Sequence, residues 1–302
     1  MIELPQRCLV GRVNPKWFAR VRPLYLNYTG SDTLYNFQVK CTLSPKDIPF
    51  ERLRPDKRDL LFLDNNNEAI PYFIGEANSS EIVLWLKFEQ VKRGREIFWL
   101  YFGNSHFEGL SNGYEVFEFF DHFPGNALDT NKWWIQKEAG EVTVSNSILK
   151  LAGGSDWTFV NQNETQYNPS LEEHAFELRV RTGEEKYLNV GLDERSKTGS
   201  ASDLDRATLG YGDDGKIFLT QRFDSESHYS RSTSADNFRL FTIIPLSDKV
   251  IFRLDEEEVI ATENPPGHPL GFRFEVRNSG NFVEIDWVGT RRYSDPEPVV
   301  EI

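Results

Sequence analysis

Two carboxylates near the C-terminus, Glu284 and Asp286, have the spacing that places both side chains on one face of a β-strand. Their strand follows another run of alternating apolar and polar residues, Gly271–Arg277, across a short polar turn. Two carboxylates at the right separation can hydrolyse a glycosidic bond. Without such a role, the same pair is simply the solvent-facing side of a strand. The pattern predicts a β-hairpin whose last strand has an apolar face made of Val283, Ile285 and Trp287.

A second set of residues has the chemistry of sugar binding. That chemistry needs aromatic rings for the apolar side of a pyranose and planar polar groups for its hydroxyls. The segment from Tyr187 to Asp193 predicts a strand with Leu188, Val190 and Leu192 facing a core. The alternative is that the aromatic residues nearby, Trp157 and Tyr211, belong to that core. The predicted glycan-binding groove consists of Tyr187, Asn189, Tyr211, Arg222 and Trp157.

Four aspartates, Asp203, Asp205, Asp213 and Asp214, indicate a candidate cation site near one edge of the predicted sandwich. Ca²⁺ requires several oxygen ligands, which such a cluster supplies. However, Gly and Asp residues between two strands are also what a tight turn demands, and the spacing of an EF-hand is absent. Calcium is therefore the one cofactor that the sequence leaves open.

Short strands are the elements that position these residues. From Trp17 onward, strand-like runs recur about every ten residues with turns between them, and helical periodicity is absent. This predicts an all-β protein of two tandem β-sandwiches, the second a jelly roll. The small, polar segment 103–113 predicts a linker. The predicted domains are therefore residues 1–113, which begin with an irregular N-terminal arm, and residues 114–302.

Charge differs between the two predicted domains. Residues 1–113 hold 15 Lys and Arg and 13 Asp and Glu, a net of +2, whereas the remainder holds 19 and 34, a net of −15. So acidic a second domain is not expected to bind nucleic acid, and its copies would repel one another. We therefore expect a homo-oligomer or a larger protein assembly to form through the N-terminal domain, with its basic loops around Arg54 and Arg93.

Other features exclude several classes of protein. The longest apolar runs are far too short for a membrane span, and the first residues lack the basic and apolar regions of a secretory signal. Cys8 and Cys41 are far apart and lack the spacing of a metal site, so free thiols are expected rather than a disulfide.

Short motifs in each half of the chain carry a family resemblance. The motifs of the second half are Phe120–Asp121, Leu128–Trp133, Phe176–Arg181, Leu209–Tyr211, Gly215–Phe218, Val250–Asp255 and Val283–Val288. Those of the first half are Arg20–Leu24, Leu53–Asp56, Ile70–Ile74 and Leu100–Asn104. On these motifs, the second half resembles the concanavalin A-like (laminin G-like) jelly rolls, and the first half resembles a small β-sandwich domain of unknown function. That domain often precedes such jelly rolls in prokaryotic, archaeal and viral surface proteins.

The resemblance implies a function without catalysis. Jelly rolls of the laminarinase type have Glu-x-Asp-x-x-Glu on one strand, but here Gly289 stands where the last Glu would be. The chain is therefore expected not to be an enzyme but a surface or virion protein, such as a tail or capsid appendage. Its expected partner in host attachment is a cell-surface polysaccharide or glycoprotein, and its expected place is the virion or an extracellular surface. The alternatives are a diverged laminarinase-type glycoside hydrolase and a purely structural assembly protein.

Overall fold

The computed structural model divides the chain into two compact units. The first comprises Met1–Glu118 and Ser294–Ile302, and the second comprises Phe119–Tyr293. Within the described residues, regular structure is β-strand apart from single turns of helix, which confirms the all-β prediction. The description covers residues 14–137, 139–163, 167, 173–183, 188–194, 206–211, 217–222, 230–231, 237–255, 257–262 and 269–302.

The first unit is a sandwich of two antiparallel sheets. Its strands are β1 (Arg20–Tyr28), β2 (Leu34–Leu43), β3 (Leu60–Leu63), β4 (Tyr72–Ala77), β5 (Ile82–Val91), β6 (Gly94–Phe102) and, at the end of the chain, β22 (Val299–Glu301). One sheet has the order β22-β1-β6-β3 and the other β2-β5-β4. Alternate residues of these strands are apolar, and they meet between the sheets in one buried cluster.

Cys41 lies in this core as a buried free thiol, as the sequence predicts, and Cys8 lies outside the described residues. Burial raises the pKa of the Cys41 thiol to about 12, and the negative charge of Asp47 adds to the shift. A thiol with so high a pKa is protonated at neutral pH and is a poor nucleophile. Cys41 therefore acts as a small apolar core residue.

The boundary between the units differs from the predicted one in two ways. Segment 103–113 is not an exposed linker, because Phe107 is buried against Phe18 and the Asn112 amide donates to the Tyr72 carbonyl at 2.8 Å. In addition, the last nine residues belong to the first unit, since β22 pairs with β1 and places Val300 opposite Leu26. The second unit is thus inserted in sequence between two parts of the first. The predicted domains, residues 1–113 and 114–302, therefore differ from the two units of the structure.

The second unit contains two larger antiparallel sheets. Its strands are β7 (Phe119–Asp121), β8 (Trp133–Lys137), β9 (Glu141–Ser145), β10 (Ile148–Ala152), β11 (Thr158–Gln162), β12 (His174–Thr182), β13 (Leu188–Glu194), β14 (Arg206–Tyr211), β15 (Ile217–Arg222), β16 (Ser230–Arg231), β17 (Arg239–Pro245), β18 (Val250–Leu254), β19 (Glu257–Thr262), β20 (Leu270–Val276) and β21 (Phe282–Arg292). The eight-stranded sheet has the order β19-β18-β17-β12-β21-β10-β9, with β7 also paired to β21. The seven-stranded sheet has the order β16-β15-β14-β13-β20-β11-β8. One apolar core drawn from both sheets lies between them, as expected of a jelly roll.

A β-bulge changes the predicted faces of β21. The alternation holds as far as Ile285, which lies in the core, but the prediction for Trp287 is wrong. The register between β12 and β21 shifts after Ile285, so that Asp286 is an extra residue and Trp287 pairs with Arg179. Trp287 therefore lies on the outer face, where its ring is 6.3 Å from that of Phe120. Val288 takes the next position in the core.

Candidate functional site

The predicted site residues are only partly described. Asn189 and Trp157 are described in full, whereas Tyr211 and Arg222 end strands β14 and β15 with side chains outside the description. The glycan site therefore stays a prediction for the residues that are not covered. The predicted positions that lie wholly outside the described residues are Tyr187, Asp203, Asp205, Asp213 and Asp214.

Strand β13 has the predicted alternation. Leu188, Val190 and Leu192 are buried in the core between the sheets, so Asn189 and Asp193 face outward from the seven-stranded sheet. The partner strand β20 has the same pattern, because Phe272, Phe274 and Val276 point inward. Two residues of β20, Arg273 and Glu275, accordingly share the outer face with Asn189 and Asp193.

A charged triad lies at the centre of this outer face. The Arg273 guanidinium is 3.3 Å from Asp193 Oδ2, and its Nε donates to Glu275 Oε2 at 3.0 Å. Asn189 Nδ2 donates to the other oxygen of Glu275. Arg273, Asp193 and Glu275 are only 5%, 3% and 1% exposed. Burying charges is costly unless they are paired, and here one arginine is shared by two carboxylates.

Aromatic rings extend the face beside the triad. Arg273 Cζ lies 4.5 Å from the centroid of Phe159, which projects from the neighbouring strand β11. Trp157, just before that strand, stacks on Phe159 with centroids 6.0 Å apart and planes at 23°. Trp157 is half-buried and is not part of the core, so the alternative of a core position does not apply to it. The Trp157 ring instead stacks on Phe159, which in turn contacts Arg273.

Two polar atoms near the triad have no hydrogen-bond partner among the described residues. Asn161 Nδ2 belongs to the residue that pairs with Arg273, and Thr208 Oγ1 belongs to β14 on the other side of β13. Both atoms are buried from solvent. A buried polar atom without a partner costs about 1–3 kcal/mol. We call the outer surface of the seven-stranded sheet the polar face, and its described members are Trp157, Phe159, Asn161, Asn189, Asp193, Thr208, Arg273 and Glu275.

Sequence reasoning missed the two β20 residues of this site, Arg273 and Glu275. Their signal was present, because they alternate with three apolar residues in Gly271–Val276. The same alternation also fits an ordinary solvated strand. Only the pairing of β20 between β11 and β13 shows that these charges are buried among other polar groups.

The two carboxylates on β21, Glu284 and Asp286, lie on the eight-stranded sheet and form ion pairs with basic side chains. Glu284 accepts from Arg181 Nε at 2.9 Å and is 3.0 Å from Lys150 Nζ, and Asp286 pairs with Arg179. We call this outer surface of the eight-stranded sheet the ion-pair face. It also includes Glu177, which accepts from Arg291 Nε at 2.7 Å and from Thr242 Oγ1 at 2.7 Å.

The electrostatics of Glu284 oppose a role as general acid. Burial acts to raise its pKa, but hydrogen bonds and charge from Arg181 and Lys150 outweigh burial, so the pKa lies below its usual value. A catalytic acid in a glycosidase needs a raised pKa so that it holds a proton near neutral pH. Val288, next to the position where a third carboxylate would stand, lies in the core. The geometry of β21 therefore fits a structural role.

Metal binding is not tested at the predicted positions. Within the described ranges, no group of three or more His, Cys, Asp or Glu side chains could hold a metal ion. The four aspartates of the candidate calcium site lie outside those ranges, so that site stays a prediction. No helix in the described part of the chain is long and apolar enough to span a membrane.

Comparison with known proteins gives one family match. A family model described as "Domain of unknown function (DUF2341)" matches residues 56–136. The match includes two of the four motifs on which the resemblance of the first half rests, Ile70–Ile74 and Leu100–Asn104. It continues past the unit boundary as far as β8. No curated protein sequence matches the chain.

Several solved structures are similar to this chain. The β-glucanase of Bacillus licheniformis is 10% identical, with 58% of this chain and 98% of that chain covered and a TM-score of 0.46. The endo-β-1,3-glucanase of Pyrococcus furiosus is 11% identical, with 59% and 95% covered and a TM-score of 0.47. The carbohydrate recognition domain of Emp46p is 9% identical, with 53% and 88% covered and a TM-score of 0.43.

Proposed function

We propose that the second unit is a non-catalytic glycan-binding domain and that the polar face is its binding surface. The observation that supports this most directly is the combination of stacked aromatic rings with a buried charged triad on one sheet surface. The half-buried ring of Trp157 offers an apolar platform for a sugar ring, and the polar groups offer donors and acceptors for its hydroxyls.

The triad gives this surface a fixed set of hydrogen-bonding groups. Arg273 contacts both Asp193 and Glu275 and lies against the Phe159 ring, so its position is set before a ligand arrives. Preorganised groups lose less entropy on binding than mobile ones. A ligand hydroxyl that reached Asn161 Nδ2 or Thr208 Oγ1 would also satisfy atoms that have no partner among the described residues.

The hydrolase alternative is less well supported. Glu284 and Asp286 are engaged by arginines and a lysine, and the pKa of Glu284 is lowered rather than raised. The polar face does present two carboxylates, Asp193 and Glu275, but both contact the same guanidinium. A purely structural role would not account for the polar atoms of the polar face that have no partner among the described residues.

The test begins with an array of glycans probed with the full chain. Against the best ligand, we expect Trp157→Ala to weaken binding about 5- to 30-fold, which corresponds to about 1–2 kcal/mol for the lost stacking contact. The matched control is Phe238→Ala, since Phe238 contacts Arg179 and Arg181 on the ion-pair face. Equal weakening by Phe238→Ala would place the site elsewhere.

Catalysis is tested separately by incubating the bound glycan with the protein and measuring reducing ends. We expect no turnover. Turnover that disappears in Glu275→Gln, with binding retained, would replace the binding proposal with hydrolysis at the polar face. If the protein binds no glycan on the array, the alternative of a purely structural assembly protein is favoured.

We also propose that glycan binding by the second unit serves attachment to a host cell. A glycan-binding unit acts on another cell only if it is displayed, so we place the protein on a virion or an extracellular surface. An antibody against the chain should label intact particles or intact cells without permeabilisation. Labelling that requires lysis would contradict this placement.

A further inference from the structure

We propose that the first unit self-associates head to tail, with a cationic patch of one copy bound in an acidic groove of the next. The groove has a volume of about 850 Å³. Its apolar lining includes Pro71, Phe88 and Ile97, all of them half-buried. Its charged lining residues are Asp64, Glu68, Glu89, Glu96, Glu115 and Lys87.

The charge of the groove is largely uncompensated. Five carboxylates face one ammonium group, a formal net of −4 at neutral pH. Among the described residues, no ion pair involves Glu68, Glu89 or Glu96. The nearby Arg95 does not neutralise the groove, because it pairs with Glu301 and lies over the ring of Tyr25. The groove therefore combines apolar contact area with a negative potential.

The cationic patch has the opposite character. It consists of exposed residues at the start of the described chain: Lys16, Trp17, Arg20 and Val21. Trp17 and Val21 are 50% and 52% exposed, which is high for large apolar side chains, and no ion pair of the described residues involves Lys16 or Arg20. An exposed Trp flanked by cations is typical of a residue that anchors a protein interface.

Both surfaces belong to one unit but lie at opposite ends of β1. Arg20 begins the strand, whereas Leu26, six residues later, lines the groove. Six residues of extended strand span roughly 20 Å, so a patch cannot reach the groove of its own copy without displacing the strand. Contact between two different surfaces of identical copies is heterologous and generates rings or filaments. The complementary charges and the exposed Trp17 make a second copy the occupant that fits the groove.

The assembly is tested by light scattering and sedimentation of the full chain over a range of concentrations at low salt. We expect mass to rise with concentration, and to rise less at 1 M salt, where the Debye length falls to about 3 Å. Two variants isolate the two surfaces. The patch variant is Trp17→Ala with Arg20→Ala, and the groove variant is Glu89→Gln with Glu96→Gln. Each alone should stay monomeric.

Mixing the two variants distinguishes head-to-tail assembly from other modes. The patch variant retains an intact groove and the groove variant an intact patch, so an equimolar mixture should form a 1:1 complex that grows no further. A two-fold interface between like surfaces would not be restored by mixing. Controls in the second unit are Lys249→Ala with Arg277→Ala for the cations and Glu141→Gln with Glu258→Gln for the acids, and both should assemble like the wild type.

Three results would overturn the proposal. They are a wild-type chain that is monomeric at every concentration, variants that assemble as the wild type does, and a mixture that stays monomeric although each variant unfolds at the wild-type urea concentration. A monomeric chain whose groove bound a Lys-rich peptide, with loss of that binding in the groove variant, would assign the groove to a different protein.

Discussion

The two outer faces of the second unit both contain buried charges, and they differ in how those charges are matched. On the ion-pair face every named carboxylate has its own cation, and Glu284 has two. On the polar face two carboxylates share Arg273, and a buried amide and hydroxyl have no partner among the described residues. A carboxylate that is already paired with its own cation has little to offer a ligand. Buried polar atoms that have no partner among the described residues, beside the half-buried ring of Trp157, leave hydrogen-bonding capacity for one.

The largest expected effect comes from removing the shared cation. Arg273→Ala leaves Asp193 and Glu275 buried without their common partner, and breaking a buried ion pair in this way costs about 3–5 kcal/mol. The matched change on the ion-pair face, Arg181→Ala, removes a residue whose side chain is 35% exposed, and Lys150 remains beside Glu284. We expect it to cost about 1 kcal/mol or less.

Urea unfolding of both arginine variants gives these free energies. Equal losses of stability would mean that the two faces do not differ in the way described. A variant of Arg273 that folded with wild-type stability would show that the triad is solvated in solution.

Two threonines make a closer comparison. Thr242 Oγ1 donates to Glu177 at 2.7 Å on the ion-pair face, whereas Thr208 Oγ1 on the polar face has no partner among the described residues. Thr242→Val should therefore lower the free energy of unfolding by about 1–3 kcal/mol, because Glu177 loses a donor. Thr208→Val should be neutral or slightly stabilising.

If the polar face binds a glycan, Thr208→Val should nonetheless weaken that binding while leaving stability intact. Thr242→Val should do the opposite, and the pair is measured by unfolding and by titration with the best glycan. Loss of stability in Thr208→Val would show that its hydroxyl has a structural partner in the folded protein.

The smallest expected effect is on the pH dependence of stability. The pKa of Glu284 is lowered in the folded state, so the folded protein releases this proton more readily than the unfolded chain. The resulting stabilisation is present above the unfolded pKa of about 4.3 and is lost as pH falls through the folded pKa. Glu284→Gln should therefore be less stable than wild type at pH 7, by about 1 kcal/mol or less.

That difference should shrink in acid, and urea unfolding at pH 7 and pH 3 measures it. A difference that grew toward pH 3 would mean that Glu284 is destabilised as a carboxylate. In that case its environment would resemble that of a catalytic acid, and the hydrolase alternative would regain support.

Much of the local structure was predictable from alternation. The core positions of β13 and the outward positions of Asn189 and Asp193 follow from the period of two in Leu188–Asp193. The same period in Gly271–Val276 would have identified Arg273 and Glu275 as neighbours on one face. The alternation could not show that the two strands pair, because pairing joins residues that are 76 to 88 positions apart in the chain.

The sequence by itself determined that this protein is all-β, which residues of β13 face a core, and that Cys41 is a free thiol. These properties depend on the preference of each residue and its immediate neighbours for a pleated, half-buried backbone. Only the tertiary structure decided that β22 returns to the first unit, that a bulge turns Trp287 outward, and that Arg273 lies between two carboxylates. Each of these features depends on which distant strand forms hydrogen bonds with a given strand. That pairing is determined by the burial of apolar side chains throughout the sandwich.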